Sequence, residues 1–287
     1  MEQTLSTISS NEEVIPGANL MWIRAPGIAA AAQPGQFVTL RCDDFMLRRP
    51  FSIHRSSLLG GQDSGAGELA ILYRIAGGGT TWLSRRQTGE KVDILGPLGQ
   101  GFSIPPVVAG QSRHLLLVAG GMGIAPLFFL MQCASPRHLI TLIHGVSTAA
   151  QLYPRAVPQA GSSSAAKDRN ELSSLPERVR FVPVTEDGSA GRKGTATEVL
   201  PDFLGWAGQV YACGPVDMYR SMAELSGLGR QSILKLRKCQ VSLEVRMGCG
   251  FGACYGCTIS TNQGMKQVCR DGPVFELDEI IWQEVRI

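Results

Sequence analysis

The sequence predicts a multidomain protein of the α/β plus β class. It reads as an antiparallel β-barrel, a parallel α/β nucleotide-binding domain and a small C-terminal cysteine module. Three observations predict this. Residues 13–106 carry short β-type runs broken repeatedly by Gly and Pro, the pattern of a small barrel. From Ser112 a continuous apolar run meets a glycine turn and an apolar helix, which opens a nucleotide-binding fold. Near the C-terminus, four of the eight cysteines fall within 21 residues. The divisions expected are 1–108, 109–238 and 239–287.

A chain of 287 residues can hold two ordinary domains and a small module. The net charge of +3 is too small to imply nucleic acid or a membrane surface. Residues 1–17 have neither a basic n-region nor an apolar h-region, so no secretory signal is expected. The longest apolar runs, 115–119 and 124–131, are too short to cross a bilayer. Free thiols suit a reducing compartment, and a cytoplasmic location is expected.

In the barrel region, residues 1–12 are polar and expected to fray. Strands are expected over 36–41, 68–75 and 91–95, with one short helix over 80–86. Arg49-Pro50-Phe51-Ser52-Ile53 is the string of most interest. An Arg at a strand end can fork onto a phosphate, and a Ser hydroxyl can bond a flavin ring edge. Tyr73-Arg74 then precedes Gly77-Gly78-Gly79-Thr80-Thr81. Backbone N–H groups at such a helical start suit a pyrophosphate, although a glycine loop can also be only a turn. The stretch 96–101 reads as a loop closing the barrel.

The α/β region starts with the apolar strand 114–119 and continues through Gly121-x-Gly123-x-x-Pro126 into a helix over 127–133. Proline suits a first helical turn. A proline here in place of the third glycine marks a dinucleotide class other than the usual fingerprint. The next strand, 138–144, ends at Gly145-Val146-Ser147-Thr148 with neither the usual ribose-binding acid nor an Arg. NAD is favoured, because a 2′-phosphate would require cations. His138 and His144 read as core-edge residues, and 159–174 as an exposed insert. A strand over 179–184 leads to the polar loop 185–194, either a nucleotide contact or a turn. The strand 208–213 ends in Cys213-Gly214-Pro215. Ligands bind at the carboxyl ends of parallel strands, so Cys213 is expected beside the nicotinamide rather than deep in the core. Residues 221–238 read as helix, turn and short strand, 239–245 as a strand with a structural Cys239, and 278–285 as a helix or turn.

Cys249, Cys254, Cys257 and Cys269 are spaced C-x4-C-x2-C-x11-C. The first three match the plant-type run that holds a [2Fe–2S] cluster. Gly248, Gly250, Gly252 and Gly256 surround them and let the loop turn its N–H groups toward sulfur. The alternative, a structural zinc site, prefers two separated C-x2-C pairs.

Taken in order, Arg49–Ile53, Gly79-Thr80-Thr81, Gly121-x-Gly123-x-x-Pro126, Cys213-Gly214-Pro215 and the cysteine quartet resemble the ferredoxin–NADP reductase superfamily. Within it, the chain looks like the electron-transfer subunits of NAD-dependent dihydroorotate dehydrogenases. The resemblance implies an FAD-binding barrel, an NAD(H)-binding domain and a [2Fe–2S] module. It implies flavin contacts from Arg49, Pro50 and Ser52, flanked by Tyr73 and Arg74, and pyrophosphate contacts from Gly79, Thr80 and Thr81. Gly121, Gly123 and Pro126 would line the dinucleotide site, with Cys213 and Gly214 near the nicotinamide. Cys249, Cys254, Cys257 and Cys269 would ligate the cluster. No residue acts as a general acid or base in this scheme. The implied partner is a TIM-barrel subunit carrying FMN that oxidises dihydroorotate, in a heterotetramer. Two other readings share the motifs: a subunit of a ferredoxin:NAD(P)+ reductase or sulfide dehydrogenase, and a non-catalytic redox sensor.

Overall fold

The computed structural model describes residues 1–59, 67–107, 112–154, 175–176, 178–227 and 238–285. The insert expected at 159–174 and the segment 228–237 lie outside these. Six antiparallel strands close a barrel in the order β1-β2-β5-β4-β3-β6. They are β1 (Glu2–Ile15), β2 (Ala18–Arg24), β3 (Phe37–Leu40), β4 (Arg49–Ser56), β5 (Glu68–Arg74) and β6 (Lys91–Leu98). Two short helices, α1 (Pro26–Ala31) and α2 (Gly78–Ser84), sit on it. The expected barrel is present, but its start differs from expectation. Residues 2–7 pair with β6 from Glu2↔Gly96 to Thr7↔Lys91, and residues 7–15 pair with β2. A segment of small polar side chains is held because its backbone ladder closes the barrel; free N–H and C=O groups at an open edge are a liability.

The second unit is a seven-stranded sheet in the order β10-β9-β8-β7-β11-β12-β15. Its strands are β7 (His114–Gly120), β8 (Leu139–Val146), β9 (Val179–Thr185), β10 (Arg192–Lys193), β11 (Gln209–Cys213), β12 (Cys239–Ser242) and β15 (Val274–Glu276). All neighbours run parallel except the β12–β15 pair. Residues 115–119 of β7 are completely buried, because a central parallel strand is covered on both faces. β12 and β15 belong to the segment expected as the cysteine module, so that module shares its backbone with the α/β sheet. A two-stranded ribbon, β13 (Thr258–Thr261) and β14 (Gly264–Gln267), completes it.

Helix α3 (Ile124–Ala134) joins the two units. It is apolar on every side, and residues 124–131 are all buried. A helix apolar all round must be covered all round. Phe128 packs into the core on one face of the sheet, and Phe129 into the barrel interior. The remaining helices are α4 (Ala196–Val199), α5 (Pro201–Leu204), α6 (Val216–Gly227) and α7 (Val268–Asp271). No helix among the described residues is long and apolar enough to cross a membrane.

Candidate functional site

Strand β4 is divided by what covers it. Arg49, Pro50, Phe51 and Ser52 are half-buried, while residues 53–56 are buried under α3. The open half faces the start of α2. The Arg49 guanidinium lies over the Phe45 ring, 5.3 Å from its centroid, and donates to the Leu47 carbonyl at 2.7 Å. A Cβ at Gly79 would stand 3.0 Å from Arg49 Nε, so glycine lets the arginine close on the first turn of α2. The Thr80 hydroxyl accepts from the N–H groups of Ala76 (2.9 Å) and Gly77 (3.1 Å), which fixes the loop before the helix. Thr81 donates its N–H to the Gly77 carbonyl and is half-buried. The N–H groups of Gly78, Gly79 and Thr80 have no intrahelical acceptor and remain available to an anion. Among the described residues the Ser52 hydroxyl has no protein partner. An available hydroxyl, a cation and three free N–H groups around a glycine cradle suit a flavin dinucleotide.

Tyr73 and Arg74 are neighbours in β5 and point to opposite sides. Tyr73 is buried in the barrel, where its hydroxyl donates to Asn11 Oδ1 at 2.9 Å and its ring meets Phe51 edge-on at 5.6 Å. Arg74 is exposed and lines a cleft with Ile15, Pro16, Ala18, Gly121, Met122 and Gln151. Only one of the two can present its side chain to a given ligand face. Arg48, next to Arg49, is structural: it pairs with Asp93 at 2.6 Å.

The nucleotide crevice lies where the strand order reverses, between β7 and β11, the usual ligand site of open α/β sheets. The two strand ends meet there tightly. A Cβ on Gly123 would come within 1.9 Å of the Cys213 carbonyl oxygen. Gly121 has φ +52° and open space where its Cβ would be. Its carbonyl accepts from His144 Nε2 at 3.0 Å. Burial holds His144 neutral, with its pKa lowered to about 4. Pro126 is buried in the first turn of α3. The Gly214 N–H donates to the Tyr219 hydroxyl (2.8 Å), which in turn donates to the Ser242 carbonyl (2.6 Å). Cys213 corrects an expectation: it is completely buried within the sheet core. Burial, and then the nearby Glu244 carboxylate, push its thiol well above the ordinary range. What Cys213 offers the crevice is backbone.

Sequence reasoning found no ribose-binding acid after β8. The topology brings two acids to that strand end from the turn after β9. The Glu186 N–H donates to the Val146 carbonyl (3.1 Å) and the Asp187 N–H to the Ser147 carbonyl (3.3 Å), which puts both acids against the end of β8. Both are exposed, and the Ser189 hydroxyl and N–H hold the Asp187 carboxyl below its usual range. The polar loop 185–194 was the only signal for them. Phe45 and Asn11 were also missed, because only the fold brings them to Arg49 and Tyr73.

In the cysteine loop, the Ala253 N–H points at Cys249 Sγ (3.2 Å), Cys249 N–H at Cys254 Sγ (3.4 Å) and Cys269 N–H at Cys257 Sγ (3.4 Å). Burial works to raise the Cys249 thiol, but the N–H groups of Phe251, Cys254 and Ala253 outweigh it and bring the thiol down to about 6. Burial and neighbouring Cys257 raise Cys269. Gly250 and Gly252 take φ of +82° and +93°, which only glycine adopts without strain. Among the described residues, no three His, Cys, Asp or Glu side chains close round a single point. The cysteines are linked instead as the pairs Cys249/Cys254 and Cys257/Cys269, each through a backbone N–H directed at the partner sulfur. Two pairs with N–H groups aimed at sulfur fit a binuclear iron–sulfur cluster. Cys257 and Cys269 are buried, while Cys254 is exposed between exposed Phe251 and Tyr255.

Comparison with known proteins agrees with this division of labour. Residues 244–281 match the iron–sulfur cluster binding domain of dihydroorotate dehydrogenase B, and residues 117–224 match the oxidoreductase NAD-binding domain. Among solved structures, an NADH-dependent reduced ferredoxin–NADP oxidoreductase superposes with a TM-score of 0.75 at 24% identity, over 98% of this chain and 91% of that one. A ferredoxin NADP+ reductase from Neisseria gonorrhoeae with bound FAD and NADP gives 0.57 at 19% identity, over 83% and 93%. A Desulforamulus reducens protein named dihydroorotate dehydrogenase B (NAD(+)), electron transfer subunit, is 34% identical over 94% of this chain and 95% of its own. A Geobacillus protein of the same name is 32% identical over 98% and 99%. Identity at this level along both chains means that this chain belongs to the family of dihydroorotate dehydrogenase B (NAD(+)) electron transfer subunits.

Proposed function

We propose that the chain passes electrons between a dihydroorotate-oxidising FMN subunit and NAD+, in pyrimidine biosynthesis. One observation carries this reading: a flavin cradle, a dinucleotide crevice and a paired-thiol loop are joined by packed elements and hydrogen bonds within one chain. The cradle and crevice are joined by α3. The thiol loop is joined to the barrel where the Gln100 N–H donates to the Gly272 carbonyl and Ser103 N–H to Gln240 Oε1. When bound, FAD exchanges a hydride with nicotinamide and single electrons with a [2Fe–2S] cluster, the conversion neither group makes alone.

The residues then have distinct tasks. Arg49 and the start of α2, with Gly79, Thr80 and Thr81, neutralise the flavin diphosphate. Pro50 and Ser52 orient the ring, and Tyr73, buried in the barrel, backs that strand through its edge-on contact with Phe51. Gly121, Gly123, Pro126 and the Cys213-Gly214 backbone shape the crevice for NAD(H). Glu186 and Asp187 favour NAD(H), since a 2′-phosphate beside two carboxylates is repelled. Cys249, Cys254, Cys257 and Cys269 hold the cluster. The divisions 1–108, 109–238 and 239–287 assign one task to each part of the chain, although β12 and β15 of the last part also complete the α/β sheet. The apolar side chains flanking Cys254, Phe251 at 49% exposure and Tyr255 at 69%, suit contact with a catalytic partner in a heterotetramer. Eight unpaired cysteines suit a reducing compartment, the cytoplasm.

Anaerobic titration of the purified chain with NADH tests the reading. Bleaching of a flavin, followed by a single reduced [2Fe–2S] signal in low-temperature EPR, is expected. Bound zinc, absence of flavin, or a flavin that NADH leaves oxidised would sink it.

A further inference from the structure

Arg270 follows Cys269 directly, on the single turn of α7. That turn is tied down at several points. The Asp271 carboxylate accepts the Gln267 N–H at 2.7 Å. The buried Gln267 side chain donates through Nε2 to the Gly252 carbonyl at 3.1 Å, which joins the turn to the loop between Cys249 and Cys254. From the barrel, Gln100 Nε2 reaches the Arg270 carbonyl at 3.5 Å. The Arg270 side chain then runs across the same loop. A Cβ at Gly252 would stand 3.1 Å from Arg270 Cδ, 3.4 Å from its Cβ and 3.6 Å from its Cγ. The stem therefore lies along a bare glycine backbone, and the guanidinium carbon is only two bonds beyond Cδ. The charge is next to Cys269 in sequence and beside the 249–254 turn in space. Arg270 is exposed, and among the described residues no carboxylate forms an ion pair with it. Lys266, on the ribbon just before α7, is by contrast neutralised by Glu279.

We propose that Arg270 raises the reduction potential of the [2Fe–2S] cluster, and so governs how readily the cluster accepts an electron from the flavin. Reduction of the cluster takes up one electron, and no bond at Arg270 forms or breaks. The added electron is a unit of negative charge, and a cation held beside it favours the reduced state. Net charge is one of the levers that set cluster potentials. The role is separate from ligation and from the N–H groups aimed at sulfur, because it depends only on the sign of the charge at position 270. The glycine at 252 is part of the device: a side chain there would push the arginine stem off the loop. The assignment rests on the reading of the four cysteines as cluster ligands.

The test uses the full chain with its flavin and cluster. The cluster's midpoint potential is measured by anaerobic redox titration followed by low-temperature EPR, at low and high salt, for wild type, Arg270→Lys, Arg270→Gln and Arg270→Glu. An exposed unit charge at short range is worth roughly threefold to tenfold in the reduced-to-oxidised ratio at a fixed potential. A tenfold change is about 59 mV for one electron. The potential is expected to stay near the wild-type value in Arg270→Lys, to fall in Arg270→Gln and to fall further in Arg270→Glu. The differences should shrink at high salt, because the charge is exposed. The EPR line shape and the flavin content should stay as in the wild type. Potentials that do not follow the charge overturn the assignment alone: either no shift in Arg270→Gln and Arg270→Glu, or a fall in Arg270→Lys as large as in Arg270→Gln, which would place the effect in the packing of the stem. Wild-type protein with no reducible [2Fe–2S] signal overturns the cluster reading together with it.

Discussion

At Gly123 a single methyl group separates a closed crevice from a broken one. Its Cβ would lie 1.9 Å from a backbone oxygen that belongs to β11 and cannot swing away. Gly121, two residues earlier, has φ +52° but nothing within 4 Å of a Cβ. The two glycines are therefore needed for different reasons. Gly121→Ala meets only backbone strain, of about 1 kcal/mol. Gly123→Ala must push β11 from β7 and is expected to cost roughly 1–3 kcal/mol or more, as overpacking does. Denaturant unfolding of the two variants side by side checks this. Equal losses would mean that the β7–β11 contact is not what fixes Gly123. The cysteines show the same dependence on position: Cys213 and Cys249 share a side chain, yet burial raises one while three N–H groups lower the other.

Between elements, β4 and α3 form the joint of the molecule. His54 Nδ1 donates to the Ala125 carbonyl (3.0 Å), its Nε2 accepts from the Tyr153 hydroxyl (3.1 Å), Gln132 donates to the Ser56 carbonyl (3.0 Å), and Arg55 lies 4.1 Å over Phe128. Burial first, then the Arg55 charge, lowers the His54 pKa well below 6.5, and burial brings His144 to about 4. Both fold neutral, whereas the unfolded chain takes up protons as pH falls through about 6.5. Stability from this source is complete above that value and is lost below it, toward the folded pKa values. Each histidine should cost roughly 1 kcal/mol between pH 6.5 and 5.5. Unfolding at pH 7.5, 6.5 and 5.5, with His144→Gln showing the shallower slope, reads this out; a flat profile would refute it. None of this joint was legible in the sequence, because His54 and Arg55 become neighbours of Phe128 and Tyr153 only through tertiary packing. What was legible had a local cause: the period and punctuation of the strands, the glycine turn before α3, and the cysteine spacing. β1 was missed for the complementary reason. Leu5 faces solvent while Ser6 and Ser10 are buried, so its side chains carry no amphipathic signal, and pairing of its backbone with residues more than eighty positions away is a property of barrel closure.

On the scale of the whole molecule, function requires that the thiol loop stay seated on the barrel. That seat is built from close approaches of backbone, mainly at glycines. Gly99 has φ +78°, and its Cβ would meet Pro273 Cδ at 2.6 Å and the Gly272 carbonyl oxygen at 2.7 Å. A Cβ at Gly250 would meet Thr39 Cγ2 at 2.9 Å. Gly99 is outside the flavin cradle, the crevice and the cysteine quartet, yet it governs the spacing between barrel and cluster module. Gly99→Ala should therefore act as a wedge. NADH oxidation with a small artificial acceptor, which draws on crevice and cradle alone, is expected to continue near the wild-type rate. Appearance of the reduced cluster signal after rapid mixing with NADH should slow several-fold, because electron transfer falls steeply with separation. Rapid-freeze EPR beside stopped-flow flavin absorbance separates the two steps. Equal slowing of both would mean that Gly99 supports the barrel as a whole, and unchanged kinetics in both would mean that the module is held by its shared sheet, through β12 and β15, without the glycine seat.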